Sequence, residues 1–150
     1  MGKAGLITDI EEYMLDITLL MQHKYGSHFD NELTPNQQLV LFLVAKRSVT
    51  RVKELAGFMN VSASAVSQMI AKLEQGGYVT RSIDPENRRQ TVLKLEDAGA
   101  ELIGQLEQKR RLIMEDLLMK LPEKDLQAMR AAFGSMHHLL LKSVNEGDES

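Results

Sequence analysis

Between Ser62 and Leu95 the spacing of apolar residues changes from every third or fourth position to every second, and that switch leaves few folds open to the chain. Over 62–75, Val66, Met69, Ile70 and Leu73 mark one face of a helix, which Gly76-Gly77 ends. Tyr78 to Ile83 then alternates and is rich in β-formers, Asp84-Pro85-Glu86-Asn87 has turn chemistry, and Gln90 to Leu95 alternates again. This predicts a β-hairpin with Arg88-Arg89 at or near its tip. Just upstream, Thr50 is placed to cap a short helix over 51–59 with Val52, Leu55 and Ala56 turned inward. Met59-Asn60-Val61 makes a tight turn, with Asn60 suited to a left-handed conformation. Ser62 caps the next helix, and Val61 and Val66 are spaced for a hydrophobic staple across its start. Short helix, turn, helix and two-stranded hairpin together describe a winged helix-turn-helix.

Long helices flank this module. Ile7, Ile10, Met14, Ile17, Met21 and Tyr25 form one apolar stripe over 6–28. After the polar break Asp30-Asn31-Glu32, the run Thr34-Pro35-Asn36-Gln37 supplies a capping box and a proline at the first helical position. That helix buries Leu39, Val40, Leu43 and Val44. Residues 97–120 carry Leu102, Ile103, Leu106, Ile113, Leu117 and Leu118 on one face. From Pro122 a last helix carries Leu126, Met129, Phe133, Met136, Leu140 and Val144. The expected fold is mainly α with a small β-hairpin wing: a winged helix-turn-helix over 34–96, a helical dimerisation region made of 1–33 and 97–150, and a polar tail over 147–150.

A helix over 6–28 is about 35 Å long at ~1.5 Å per residue, and the one over 97–120 is similar. The winged module is too small to cover both stripes and that of the last helix, whereas a second copy of the chain can. An intramolecular bundle is the competing arrangement. A two-fold dimer sets its reading helices roughly one DNA turn apart, ~34 Å.

The formal net charge is −3, yet positions 46–94 hold nine basic against four acidic residues, a local net of +5 between acidic flanks. A basic middle of this kind fits a phosphate-bearing partner such as double-stranded DNA. With no cysteine, disulfides, thiolate metal sites, a cysteine nucleophile and thiol redox sensing are all excluded. His23, His28, His137 and His138 lack the tight spacing of a metal site, so no metal and no cofactor are expected. No Gly-rich phosphate loop, no Gly-x-Ser-x-Gly and no His-Glu-x-x-His is present, and the chain reads as no enzyme. No apolar run reaches the ~18 residues of a membrane span, and no signal-peptide pattern opens the chain, so the expected location is cytoplasmic.

The outward face of helix 62–75 is small and polar: Ser64, Ser67, Gln68 and Ala71, with no acid before Glu74. Short side chains let a helix approach base edges. Gln68 has the groups to pair bidentately with adenine, and Ser64 or Ser67 to bond a base or phosphate. Ser62 at the helix start, Lys72 on its flank and Arg81 in the hairpin join the expected DNA-binding set. Arg88 and Arg89 suit the negative potential of a narrow minor groove. The alternative for that pair is a local ion pair with Asp84 or Glu86; both hold if Asp84 braces one arginine while the other reaches DNA.

Leu33-Thr34-Pro35, Val52-Lys53-Glu54-Leu55-Ala56, Val61-Ser62, Leu73-Glu74-Gln75-Gly76-Gly77-Tyr78-Val79 and Asp84-Pro85-Glu86-Asn87-Arg88-Arg89 together closely resemble the MarR family of bacterial transcriptional regulators. The resemblance implies a homodimer on an inverted-repeat operator, with helix 62–75 in the major groove. The family's wing-tip Asp-x-Arg falls on Asn87, Arg88 and Arg89. That makes Arg89 the minor-groove arginine and Arg88 a backbone contact. Asn87 stands where the family has Asp, so it can hold an arginine by a hydrogen bond but not by charge, and Asp84 is the substitute brace. The resemblance also implies a small-molecule effector held between dimerisation helices and reading module. Met14, Met21, Phe42 and Phe58 are its candidate pocket, with core packing as the alternative for each. The function implied is a dimeric repressor released by that effector; the competing one is a winged helix kept for protein contact with DNA binding lost.

Overall fold

The computed structural model describes residues 2–147, so the tail read at 147–150 lies outside the described residues except for Gly147. The helices are α1 (Lys3–Tyr25), α2 (Pro35–Arg47), α3 (Val52–Met59), α4 (Ala63–Gln75), α5 (Asp97–Leu118) and α6 (Glu123–Gly147). The strands are β1 (Val79–Ile83) and β2 (Thr91–Leu95), and a 3-10 turn, Gly26–Phe29, follows α1. The chain folds as two compact units that divide between Lys109 and Arg110, within α5.

Most boundaries have a local cause. The Thr34 hydroxyl accepts from the Gln37 amide at 3.2 Å while the Gln37 side chain accepts from the Thr34 amide at 2.9 Å, the reciprocal pair that opens α2. Ser62 accepts from the Ala65 amide at 3.1 Å and opens α4. Asn60 ends α3 at φ 54°, as expected of the turn. At the end of α4 the Tyr78 amide reaches back to the Leu73 carbonyl at 2.9 Å and the Gly77 amide to Glu74 at 3.0 Å. This closing motif needs a left-handed residue, and Gly77 supplies it at φ +75°.

Three expectations need correction, at Thr50, at Leu39 and at the end of the first helix. Thr50 does not cap α3: Arg51 holds that position, and the Thr50 carbonyl accepts from the Leu93 amide at 2.8 Å. Arg51 bridges antiparallel to Val92, so the β-prone joint is taken up by β2 instead of the helix. In α2, Leu39 is 41% exposed and Leu41 is fully buried in its place. The start of α5 comes in on that side; a Cβ on Gly99 would sit 3.2 Å from Leu41 Cδ1 and 2.4 Å from the Tyr78 carbonyl oxygen. Ile83 is 68% exposed although it follows the strand alternation, because the hairpin runs out past the core. The α-helical part of the first helix ends at Tyr25, with 26–28 of the expected helix lying in the 3-10 turn.

The core of the first unit joins α2, α3, α4, the base of the hairpin and the first turns of α5. Val40, Leu41, Leu55, Val66, Ile70, Leu73 and Val79 are fully buried, and Leu93 and Ile103 nearly so. Each such side chain contributes about 1.5–3 kcal/mol relative to exposure. β1 and β2 pair antiparallel from Val79 opposite Leu95 to Ile83 opposite Thr91. Lys46 and Glu107 pair at 2.6 Å, and Lys109 donates to the His28 carbonyl at 3.0 Å, tying α5 to α2 and to the turn after α1. No residue of α1 is buried: Ile10, Met14 and Ile17 of its stripe are all at least 51% exposed. In the second unit, no described residue of α6 is buried, and Phe133, Leu140 and Val144 are all at least 57% exposed. No described helix is long and apolar enough to cross a membrane.

Candidate nucleic-acid interface

α4 is pinned by its apolar face. Val66, Ile70 and Leu73 are buried, with Met69 half-buried beside them. The opposite face is thereby fixed outward, and Ser62, Ser64, Gln68 and Lys72 are exposed on it, with Ser67 half-buried. Ser62 accepts the capping hydrogen bond at the mouth of α4 with one lone pair of its hydroxyl, which keeps its O–H as a donor. The helix therefore presents a row of polar side chains four residues apart at Ser64, Gln68 and Lys72.

The hairpin stands beside this face and is tied to it through Arg81. Arg81 Nε lies 2.6 Å from Glu74 Oε1, and its Nη2 donates to the Ser67 carbonyl at 3.0 Å. The guanidinium of Arg81, one of the expected DNA contacts, is held by α4 and positions the hairpin against it. Glu74, the one acid on α4, is neutralised in the process.

Arg88 and Arg89 are exposed in the loop between the strands, and among the described residues neither guanidinium has an ion-pair or hydrogen-bond partner. The brace expected of Asp84 goes elsewhere. Asp84 is 2% exposed, and its Oδ2 accepts from Arg51 Nε at 2.9 Å while its Oδ1 accepts from the Glu86 amide at 2.9 Å. Arg51 also reaches Glu86 at 3.4 Å and Glu54 at 3.5 Å, so both acids of the loop are spent on it. The Glu86 amide, and after it the Arg51 guanidinium, hold the Asp84 carboxyl below the usual aspartate range against the opposing effect of burial. Asn87 accepts from the Arg89 amide at 3.2 Å, holding the loop backbone and leaving the Arg89 guanidinium unheld.

Arg51 was not singled out from sequence. Its partner is 33 residues away, and no local spacing signals the pair. The candidate effector residues do not share one environment: Phe42 packs against the core, Met21 is half-buried, and Met14 and Phe58 are 51% and 69% exposed.

A model of the MarR family matches residues 33–91. The chain is 33% identical over 94 residues to the HTH-type transcriptional repressor MdtR of Bacillus subtilis, a match covering 63% of this chain and 61% of that protein. The chain thus spans about three fifths of that relative's length. The crystal structure of the YusO protein from Bacillus subtilis superposes with a TM-score of 0.72 at 26% identity, over 92% of this chain and 99% of that one. FabT of Streptococcus pneumoniae, solved in complex with DNA, has the same fold: TM-score 0.73 at 17% identity, over 91% of this chain and 98% of that one. With the winged helix-turn-helix in place and the family match falling on it, residues 33–91 are assigned to the MarR family of transcription regulators, which are not enzymes.

Proposed function

We propose that the protein is a cytoplasmic, dimeric, sequence-specific repressor that binds an inverted-repeat operator in double-stranded DNA and is released by a small-molecule effector. The observation that carries the reading is the pairing of two exposed surfaces held in register by Arg81. One is the polar, acid-poor face of α4. The other is a wing loop whose two arginines have no partner among the described residues. α4 enters the major groove, where Gln68 reads base edges and Ser64 and Ser67 bond bases or phosphates. Lys72 contacts the backbone, Arg89 enters the minor groove and Arg88 meets a phosphate. MdtR, the relative described above, is itself a transcriptional repressor, and FabT was solved bound to DNA.

Dimerisation is supported by the apolar stripes of α1 and α6, each left without a buried residue in the single chain. An effector acts by favouring a spacing of the two reading helices other than the one the operator needs, and only to the extent that it binds the two states with different affinity.

Selection from a random duplex pool with the purified chain tests the reading. Enrichment of an inverted repeat with half-sites about one turn apart, ~34 Å, is the expected result. Failure to enrich any sequence, with no salt-dependent binding, would reassign the winged helix to protein contact. For release, a compound shown to bind the protein should lower operator affinity; unchanged affinity in its presence removes the effector from the mechanism.

A further inference from the structure

A sugar-phosphate strand separates the major groove from the adjacent minor groove. A protein with one element in each must straddle that strand, so the surface joining the two elements meets phosphates whatever the sequence. Here that surface is a cleft of about 500 Å³ between α4 and the wing. Lys53 of α3 lines it from the helix side, with Ser67 of α4; Arg81, Arg89 and Gln90 line it from the hairpin side, and Arg51 also borders it.

The charges in this cleft divide into two classes. Arg51 is taken by Asp84, Glu54 and Glu86, and Arg81 by Glu74 and the Ser67 carbonyl. Four acids hold these two cations in place, and none of the four lines the cleft. Lys53 and Arg89 come from different elements, and among the described residues neither side chain makes an ion pair or hydrogen bond. The cleft is therefore a seat with two uncommitted positive charges and no acid among its lining residues.

The geometry points to this cleft as the seat of the DNA strand that divides the two grooves, with Lys53 as a phosphate contact absent from the set read off the sequence. The inference rests on the proposed DNA binding and adds a residue and a role to it. A lysine suits the role: a compact charge on a flexible stem meets a phosphate oxygen without demanding one orientation. Arg51 and Arg81 are positioning residues that hold the cleft open to the right width.

Salt dependence tests this directly, because each phosphate neutralised adds to the slope of log affinity against log salt. The full chain is titrated against duplexes of several arbitrary sequences over a range of sodium chloride. Lys53→Ala should reduce the slope by about 0.9 per bound protomer and weaken every duplex by the same factor. Lys53→Arg should restore the parent slope. Gln68→Ala should keep the slope and alter preference among sequences. A Lys53→Ala slope equal to the parent's overturns the inference and leaves DNA binding standing. No salt-dependent binding by the parent overturns both. If Lys53→Ala loses binding of inorganic phosphate yet keeps the parent's slope on DNA, the cleft holds a free anion and the inference fails.

Discussion

Single charged side chains in and beside the wing divide into those left unpaired and those that brace. Arg88, Arg89 and Lys53 have no partner among the described residues, while Arg51 and Arg81 spend their guanidinium groups inside the protein. Arg89→Ala should weaken operator binding by about 1–3 kcal/mol at fixed salt. Unchanged affinity would take the wing out of recognition. Asp84 makes a prediction about pH. Its folded value is depressed, so the ionised form favours folding. Its stabilising contribution is complete above the ordinary aspartate value of about 3.9 and disappears as pH falls through the lower folded value. Melting temperature followed down the acid limb should fall more steeply for the parent than for Asp84→Asn. Parallel curves would mean that Asp84 does not link acid to stability.

Helices and strands were legible wherever their cause is local. The capping pair at Thr34 and Gln37, the cap at Ser62, the left-handed Asn60 and the glycine end of α4 are all written within a few residues of the boundary they set. Thr50 misled for a physical reason: its backbone had two offers, the start of α3 and the edge of β2, and the non-local one won. Gly99 is a contact of the same non-local kind. It lets α5 close onto the hairpin, and a methyl group there meets the Tyr78 carbonyl at 2.4 Å. Gly99→Ala should destabilise the fold by about 1–3 kcal/mol through overpacking, read by denaturant unfolding. For the reading helix, Ile70→Ala should cost about 2–5 kcal/mol, since its side chain is fully buried. A loss well under that range would mean α4 is not anchored as described.

The molecule as a chain of one copy leaves a large apolar debt on its long helices. α1 runs 23 residues, about 35 Å, without a buried side chain. Its stripe predicts a partner, and the partner proposed is a second copy. Ile17→Glu, on the exposed stripe, should convert the dimer to monomer in sedimentation and weaken binding to a two-half-site duplex far more than to a single half-site. A variant that stays dimeric would move the interface off α1. Equal losses on both duplexes would mean the effect does not act through pairing.

Periodicity, caps and turn residues act over one to four positions, so the amino-acid order alone settled which segments become helix or strand, which face of α4 is apolar, and that a basic loop caps the hairpin. The Asn87 departure from the wing-tip pattern came from the resemblance to the MarR family and not from those rules. Folding in three dimensions decided which charges remain free. Arg51 and Asp84 are 33 residues apart, and Arg81 lies 14 residues from the Ser67 carbonyl it holds. Nothing in local spacing ranks one arginine above another, because each has the same charge and reach. Packing of the hairpin against α3 and α4 brings acids within reach of two of them and leaves Lys53, Arg88 and Arg89 facing outward, and that selection creates the surface proposed to meet DNA.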